Sequence, residues 1–360
     1  MDDPKSVIAE LEKHIPELMK TAQIPGASIA LIRDGALFWQ RGFGVKDIRT
    51  NASVDSETVF EAASTTKPVF AYAVMKLHER GVIDLDAPLS TYTSERFVPD
   101  DARLDRITAR HVLSHTTGLP NWRSKQQPLA IQFMPGERWS YSGEGYSYLQ
   151  SVVARLTGAR VNTQVCGKFE MGIEVCAMEP TIDEFMRRSV FGPFGMTSSG
   201  LVWTDHMERN LAWGHDPKGQ PLKGSRKPAG PAIARYGVAG GLATTPADYA
   251  KFLIEIVAPK PPDAFRLTPA SLAEMLRPQM KLTADSSWAL GWKVHHTSVG
   301  EFISHGGGNP GYSCFVAASP ARKSGYVIMT NSEENGFYGL ITKLIAGDAL
   351  GRFLGAPLEP

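Results

Sequence analysis

Apolar and polar positions along the chain follow two rhythms, and each change of rhythm marks a change of element. Val7, Ile8, Leu11, Ile15 and Leu18 are spaced for one face of a helix, with charges between them. Two apolar runs in "GASIALIRDGALFWQRGFGV" then flank Arg33-Asp34-Gly35, and an Asp-Gly pair between such runs predicts a hairpin. Ser64 to Arg80 reads as a helix with Val69, Phe70, Ala73, Val74 and Leu77 on one side and Gly81 in the stop position. Near the other end, "FISHGGGNPGYSCFVAASPARKSGYVIMTNS" predicts two or three strands separated by a glycine turn and by polar "SPARKSG". A helix near Tyr338 to Arg352 closes the chain.

Strands therefore lie at both ends, while residues 83–234 read as helix and long loop. The pattern predicts an α/β (α+β) fold in which residues 1–82 and 235–360 build an antiparallel sheet flanked by helices. Residues 83–234 form a mostly helical lobe inserted into it. A cleft between two such lobes is a natural active site. The stretch "ARVNTQVCGKFEMGIEVCAMEP", residues 159–180, reads as an insertion between a helix ending near Gly158 and another from Ile182, with a lid or partner-binding element as its expected role. "GHDPKGQPLKGSRKPAGP" predicts a long polar loop that is either mobile or wrapped over the cleft.

Composition narrows the partners. Across 360 residues, 42% hydrophobic and 21% charged, the formal net charge is only +1, which provides no field for gathering nucleic acid or an anionic membrane. A small molecule is the expected partner. No stretch is long and apolar enough for a membrane span, and no basic start leads into an apolar run. That favours a cytoplasmic location, although a periplasmic or secreted chain whose leader had been removed would read the same way. Cys166, Cys176 and Cys314 are too few for a disulfide framework; Cys166 and Cys176 are close enough in the chain to bridge, but proximity does not tell whether their side chains meet.

Candidate chemistry begins at "EAASTTKP", residues 61–68. S-x-x-K should arise about once by accident in a chain this rich in serine and lysine, and it occurs once, at Ser64. Its setting raises its value. Residues three apart on a helix share a face, so the Lys67 amine reaches the Ser64 hydroxyl, and Pro68 is tolerable only in a first turn. The helix therefore starts at or just before Ser64. A lysine buried at a helix N-terminus loses charge readily, which suits it to take a proton from a serine. A surface helix with a solvated lysine is the bland alternative.

Two further stretches bear on that choice. In "MPGERWSYSGEGYSYLQSVVARLTG" a Pro135-Gly136 turn delivers Trp139 and Tyr141 ahead of a helix from about Tyr146; Tyr141 is an acid/base candidate, or simply packing. In "ISHGGGNPGY" a strand end carries His305 and three glycines, which mark close approach of a backbone or ligand. HGGG also occurs in lipases, but no G-x-S-x-G is present and only 55 residues follow His305, so that reading is rejected. His111 and His115 have the spacing of a helical metal pair yet lack a glutamate between them and a third ligand; no metal and no organic cofactor is expected. His295 and His296 read as exposed strand residues facing opposite ways.

"STTK", then "YSG" after "PGERWSYS", then "HGG" on a late strand resemble the three ordered motifs of serine β-lactamases and penicillin-binding proteins. Flanking stretches "IPGASIALIRDG", "LSHTTGLPNW", "GVAGGLATTPADYAKF" and "LGW" are similar to the branch holding class C β-lactamases, D,D-peptidases and family VIII carboxylesterases. The likeness spans nearly the whole chain and implies the β-lactamase/transpeptidase-like fold.

It also implies roles. Ser64 would be the acylated nucleophile and Lys67 its proton acceptor; Tyr141 would serve the leaving group and the hydrolytic water, and His305, where many relatives have lysine, would orient substrate and tune Tyr141. Backbone N–H groups of Ser64 and Gly308 would form the oxyanion hole. Asn121, Trp122, Gly143, Tyr236, Gly306 and Gly307 would contact substrate. The middle motif usually reads Y-x-N, and Gly143 replaces an asparagine that contacts the amide side chain of a β-lactam, which weakens the antibiotic-hydrolysis reading. The expected function is a serine hydrolase of small carboxylic esters or amides. A D-Ala-D-Ala-type peptidase, a β-lactamase, an acyltransferase and a catalytically silent recognition protein are the alternatives.

Overall fold

A computed structural model of the chain describes residues 4–124, 128–158, 160–168, 174–179, 182–223, 237–333, 337, 340 and 349–355. Helix α1 (Pro4–Ala22) precedes strands β1 (Gly26–Arg33), β2 (Ala36–Asp47) and β3 (Ala52–Ser53). A short strand β4 (Phe60–Glu61) leads through a 3₁₀ turn at Ala63–Thr65 into α2 (Thr66–Glu79). Next come α3 (Ala109–Leu113), α4 (Gly143–Leu156), the hairpin β5 (Arg160–Lys168) and β6 (Glu174–Glu179), then α5 (Ile182–Met186) and α6 (Asp205–Asn210). Strand β7 (Ala243–Thr244) and helices α7 (Pro246–Val257) and α8 (Pro269–Leu276) precede β8 (Met280–Lys281), β9 (Ser286–Trp288), β10 (Lys293–Thr297), β11 (Gly300–Asn309), β12 (Tyr312–Ser319), β13 (Ser324–Thr330) and α9 (Ala349–Leu354).

Nine of these strands form one sheet in the order β3-β2-β1-β13-β12-β11-β10-β9-β8, with antiparallel neighbours, so the first and last thirds of the chain share it. The Asp-Gly hairpin is as expected: Arg33 pairs with Ala36, leaving a two-residue loop in which Asp34 and Gly35 both have positive φ, 51° and 73°. The glycine-rich late stretch resolves into three strands, β11 to β13.

The central strands are covered on both faces, which is why they read as unbroken apolar runs. Ala30, Ile32, Val316, Ala318, Val327 and Met329 join the core beneath α2, α4 and α7. Their alternates Ile29, Leu31, Phe315, Ala317, Tyr326 and Ile328 pack against Val7, Leu11 and Ile15 of α1 and Phe353 of α9. Helix α2 departs from expectation. Its residues Thr66 to Leu77 are all buried, not only one side, because the sheet and neighbouring helices enclose it.

Two boundaries shift. The 3₁₀ turn holds Ser64, and the α-helix proper starts at Thr66; its end at Glu79 with Gly81 at φ 68° agrees with the expected stop. Helix α4 starts at Gly143 rather than near Tyr146, since the Ser142 hydroxyl accepts the Gly145 N–H at 2.9 Å and caps the first turn. Within 159–180 the described backbone is a hairpin whose register sets Cys166 opposite Cys176; the side chains there lie outside the described residues. Most of the expected closing helix also lies outside them. Among the described residues no helix is long and apolar enough to cross a membrane.

Ile328, fully buried on β13, tests the doubly covered sheet. Ile328→Ala should lower unfolding stability by about 2–5 kcal/mol in chemical denaturation, and a loss below about 1 kcal/mol would show that the second face is loosely packed.

Candidate active site

The site is built at the turn between β4 and α2. Ala63 takes φ 47°, a left-handed conformation costly for a residue with a side chain, directly before Ser64. Its neighbours hold it there. Thr65 Oγ1 donates to Ala62 O at 2.7 Å, Thr66 Oγ1 donates to Ala63 O at 2.6 Å and accepts the Leu242 N–H at 3.0 Å, and Tyr249 donates to Thr65 O at 2.8 Å. The two threonines inside "STTK" thus fix the turn.

Lys67 follows one turn on and is fully buried. Its Nζ donates to Ser64 Oγ at 3.2 Å and to the Ala239 carbonyl at 2.6 Å, and lies 4.7 Å from the Tyr141 ring centroid and 5.4 Å from that of Tyr146. Burial pushes its pKa from 10.5 down to about 7.

Strand β11 closes the other side. A methyl group added at Gly307 would sit 2.8 Å from the Ser64 nitrogen and 2.9 Å from the Ala62 oxygen, so only glycine lets the strand pass so near the turn. Gly306 and Gly308 flank it, paired with Phe315 and Ser313 of β12. His305 donates from Nδ1 to the Gly306 carbonyl at 2.7 Å, which leaves Nε2 as an acceptor. Its ring lies 6.2 Å from Tyr141, and burial, reinforced by Lys67, lowers its pKa to about 3. The end of β11 is tied down by Asn309, whose amide donates to Glu61 at 2.7 Å and to Gly240 O at 3.0 Å.

Four of the expected residues, Ser64, Lys67, Tyr141 and His305, therefore meet, together with Gly306 and Gly307. Residues 11–349 match the model of the Beta-lactamase family. The chain belongs to the beta-lactamase family.

Relatives within it differ in name and length. Protein flp of Staphylococcus aureus (strain N315) is 21% identical over 349 residues, covering 89% of this chain and 62% of that protein, so the chain spans less than two thirds of the curated relatives of this kind. Esterase EstB of Burkholderia gladioli is 29% identical over 188 residues, 43% of this chain and 47% of that protein. In structure the chain is similar to the octameric penicillin-binding protein homologue from Pyrococcus abyssi, with a TM-score of 0.74 at 22% identity over 97% of this chain and 78% of that one. The fold is β-lactamase/transpeptidase-like, as the motifs imply, and the family is one of serine hydrolases.

The altered middle motif of this beta-lactamase family member has a structural counterpart. Gly143 N–H donates to Asn121 Oδ1 at 3.0 Å, and a methyl group at Gly143 would lie 2.9 Å from the Trp122 ring. The Asn121 carbonyl oxygen, 2.7 Å from such a methyl group, and the indole together fill the space that a side chain there would need. Arg123 locks the same loop through its backbone N–H and a two-pronged guanidinium contact with the Glu144 carboxylate. Asn121, Trp122 and Gly143 thus form one wall. Tyr236 lies outside the described residues.

Sequence reasoning missed several groups. His115, outside the three motifs and expected to hold no metal, stacks on Tyr141, with ring centroids 4.1 Å apart. His111 instead turns back past the start of its helix, its Nδ1 3.1 Å from the carbonyl of Arg106 in the preceding 3₁₀ turn. Among the described residues no three metal-ligating side chains gather. Trp139 and Trp288 line the same aromatic cluster, 5.4 Å apart, and no spacing in the sequence pairs them. His295 corrects another expectation: it is buried and bonds Ser304 Oγ at 2.7 Å, because that face of β10 is covered.

The depressed pKa of Lys67 makes a stability statement. An unfolded lysine stays protonated up to about 10.5 while the folded one releases its proton near 7, so folding is penalised at pH 7 and gains stability as pH rises through that window. Lys67→Met should therefore raise unfolding stability at pH 7 by about 2 kcal/mol or more in denaturant titration while impairing turnover. A less stable variant would mean that the bonds to Ser64 and Ala239 outweigh the burial cost.

Proposed function

We propose that the chain is a serine hydrolase that cleaves small carboxylic esters or amides through an acyl-enzyme on Ser64. The observation that carries this reading is the 3.2 Å contact between Ser64 Oγ and a fully buried Lys67 amine with a pKa near 7. Membership of a serine-hydrolase family and likeness to an esterase support it.

In the proposed cycle Ser64 Oγ attacks the carbonyl carbon of the substrate as neutral Lys67 takes the hydroxyl proton. Charge moves to the carbonyl oxygen, received by the N–H groups of Ser64 and Gly308 at the close approach of turn and strand. Collapse expels the alcohol or amine, which takes its proton from Tyr141, and the phenolate takes back a proton from Lys67, whose amine lies 4.7 Å from the ring centroid. Water attacks the ester by the reverse relay and frees the acid. His305, neutral at working pH, offers Nε2 as an acceptor on this edge.

Esters are favoured over β-lactams by the wall at Gly143. The amide of Asn121 is engaged with the backbone and Trp122 covers the position where a recognising side chain would project, so the wall offers an aromatic face.

Intact-mass measurement should find one fluorophosphonate adduct on the wild-type protein and none on Ser64→Ala; a chain that takes no adduct would be a recognition protein. Short-chain aryl esters, a cephalosporin and a D-Ala-D-Ala peptide assayed together test the substrate class, and ester turnover a hundredfold below that of the peptide would reverse the preference. With Lys67 as base, kcat/KM for an ester should fall about tenfold per pH unit below about pH 7. A flat profile from pH 5 to 8 would remove Lys67 from that role.

A further inference from the structure

His115 lies outside the three motifs and in the turn after α3, with φ 57° and no exposed surface. Two contacts set it apart. Its carbonyl accepts the Ser140 N–H at 2.8 Å, and its ring Nδ1 accepts the Ser142 N–H at 3.0 Å. One residue thereby grips the chain on either side of Tyr141.

The ring itself is the third hold. It stacks on the Tyr141 ring at 4.1 Å with a 30° tilt, and Trp288, Tyr146 and Trp139 close around it at 5.1, 5.4 and 6.3 Å. Because Nδ1 accepts, the ring proton is on Nε2 and the imidazole is neutral. Burial, with smaller contributions from neighbouring Lys67 and His305, holds its pKa well below 6.5, so it remains an acceptor through the working range. Its Nε2 has no hydrogen-bond partner among the described residues.

Tyr141 needs such support. It precedes the first turn of α4 and lies outside helix and strand, so no regular ladder fixes its backbone. A displacement of about 1 Å in a reacting group can cost on the order of a hundredfold in rate.

We propose that His115 is a positioning residue for Tyr141, holding the peptide groups on both sides of it and the face of its ring so that the phenol stays beside Lys67. This rests on the reading of Tyr141 as the proton carrier. An apolar side chain at 115 would leave the Ser142 N–H without its acceptor, and a cation there would repel Lys67. The acceptor is the decisive feature.

His115→Phe keeps a flat ring and removes the acceptor, whereas His115→Asn restores an acceptor in place of Nδ1 and adopts positive φ easily. For a short-chain aryl ester, His115→Phe should lower kcat about 10- to 100-fold with KM within about threefold, and should expose the Ser142 amide to hydrogen exchange. His115→Asn should recover kcat to within about fivefold of wild type and restore protection. In a Tyr141→Phe background His115→Phe should cost little more, since both changes act on one group.

A wild-type kcat in His115→Phe overturns the proposal, as does an undiminished loss in the Tyr141→Phe background. If the variants do not fold, a Ser142 amide that exchanges in the wild-type protein as fast as an open loop overturns it as well. Failure of the underlying function reads differently: turnover would survive Ser64→Ala while amide exchange at Ser142 still reports the clamp.

Discussion

A lysine amine taken completely out of water, beside a serine hydroxyl, is the constraint around which the rest of this protein is arranged. Lys67 gains hydrogen bonds to Ser64 and Ala239 but, among the described residues, no counter-charge, so burial dominates and its pKa falls to about 7. Such a group destabilises the fold and is kept in place by surrounding structure. Helix α2, enclosed on all sides, supplies the dry environment, and the 237–241 turn supplies the carbonyl that orients the amine.

The same economy applies to the turn before it. Left-handed Ala63 stores strain next to Ser64, and four hydrogen bonds made by Thr65, Thr66 and Tyr249 hold it. Gly307 then lets β11 approach to a distance at which even a methyl group would collide with Ser64 and Ala62. Strain on one side and an absent side chain on the other create the narrow gap in which an oxyanion is proposed to form.

Across the gap the wall is aromatic. Trp139, Tyr141, Trp288 and His115 pack together, while Trp122 lies over Gly143 and is fixed by Asn121, Arg123 and Glu144. The loss of the asparagine from the middle motif and the presence of Trp122 in the loop between α3 and α4 are one structural fact, not two. A side chain at 143 and this position of the indole exclude each other.

Local rules determined much of this in advance. The Asp34-Gly35 hairpin, the Gly81 stop, strands β1, β2 and β11 to β13, and the Ser64–Lys67 juxtaposition each depend on residues close in sequence, where φ preference, apolar runs and helical spacing decide the outcome. The three ordered motifs also identified the family. What only the tertiary structure decided is which distant groups share a boundary: His115 against Tyr141, Trp122 against Gly143, Asn309 against Glu61, and the full burial of α2. Those contacts join segments through packing, so no periodicity or spacing carries them. The same holds for His115, whose backbone turn aims it at a tyrosine 26 residues away, a pairing that no spacing in the sequence carries.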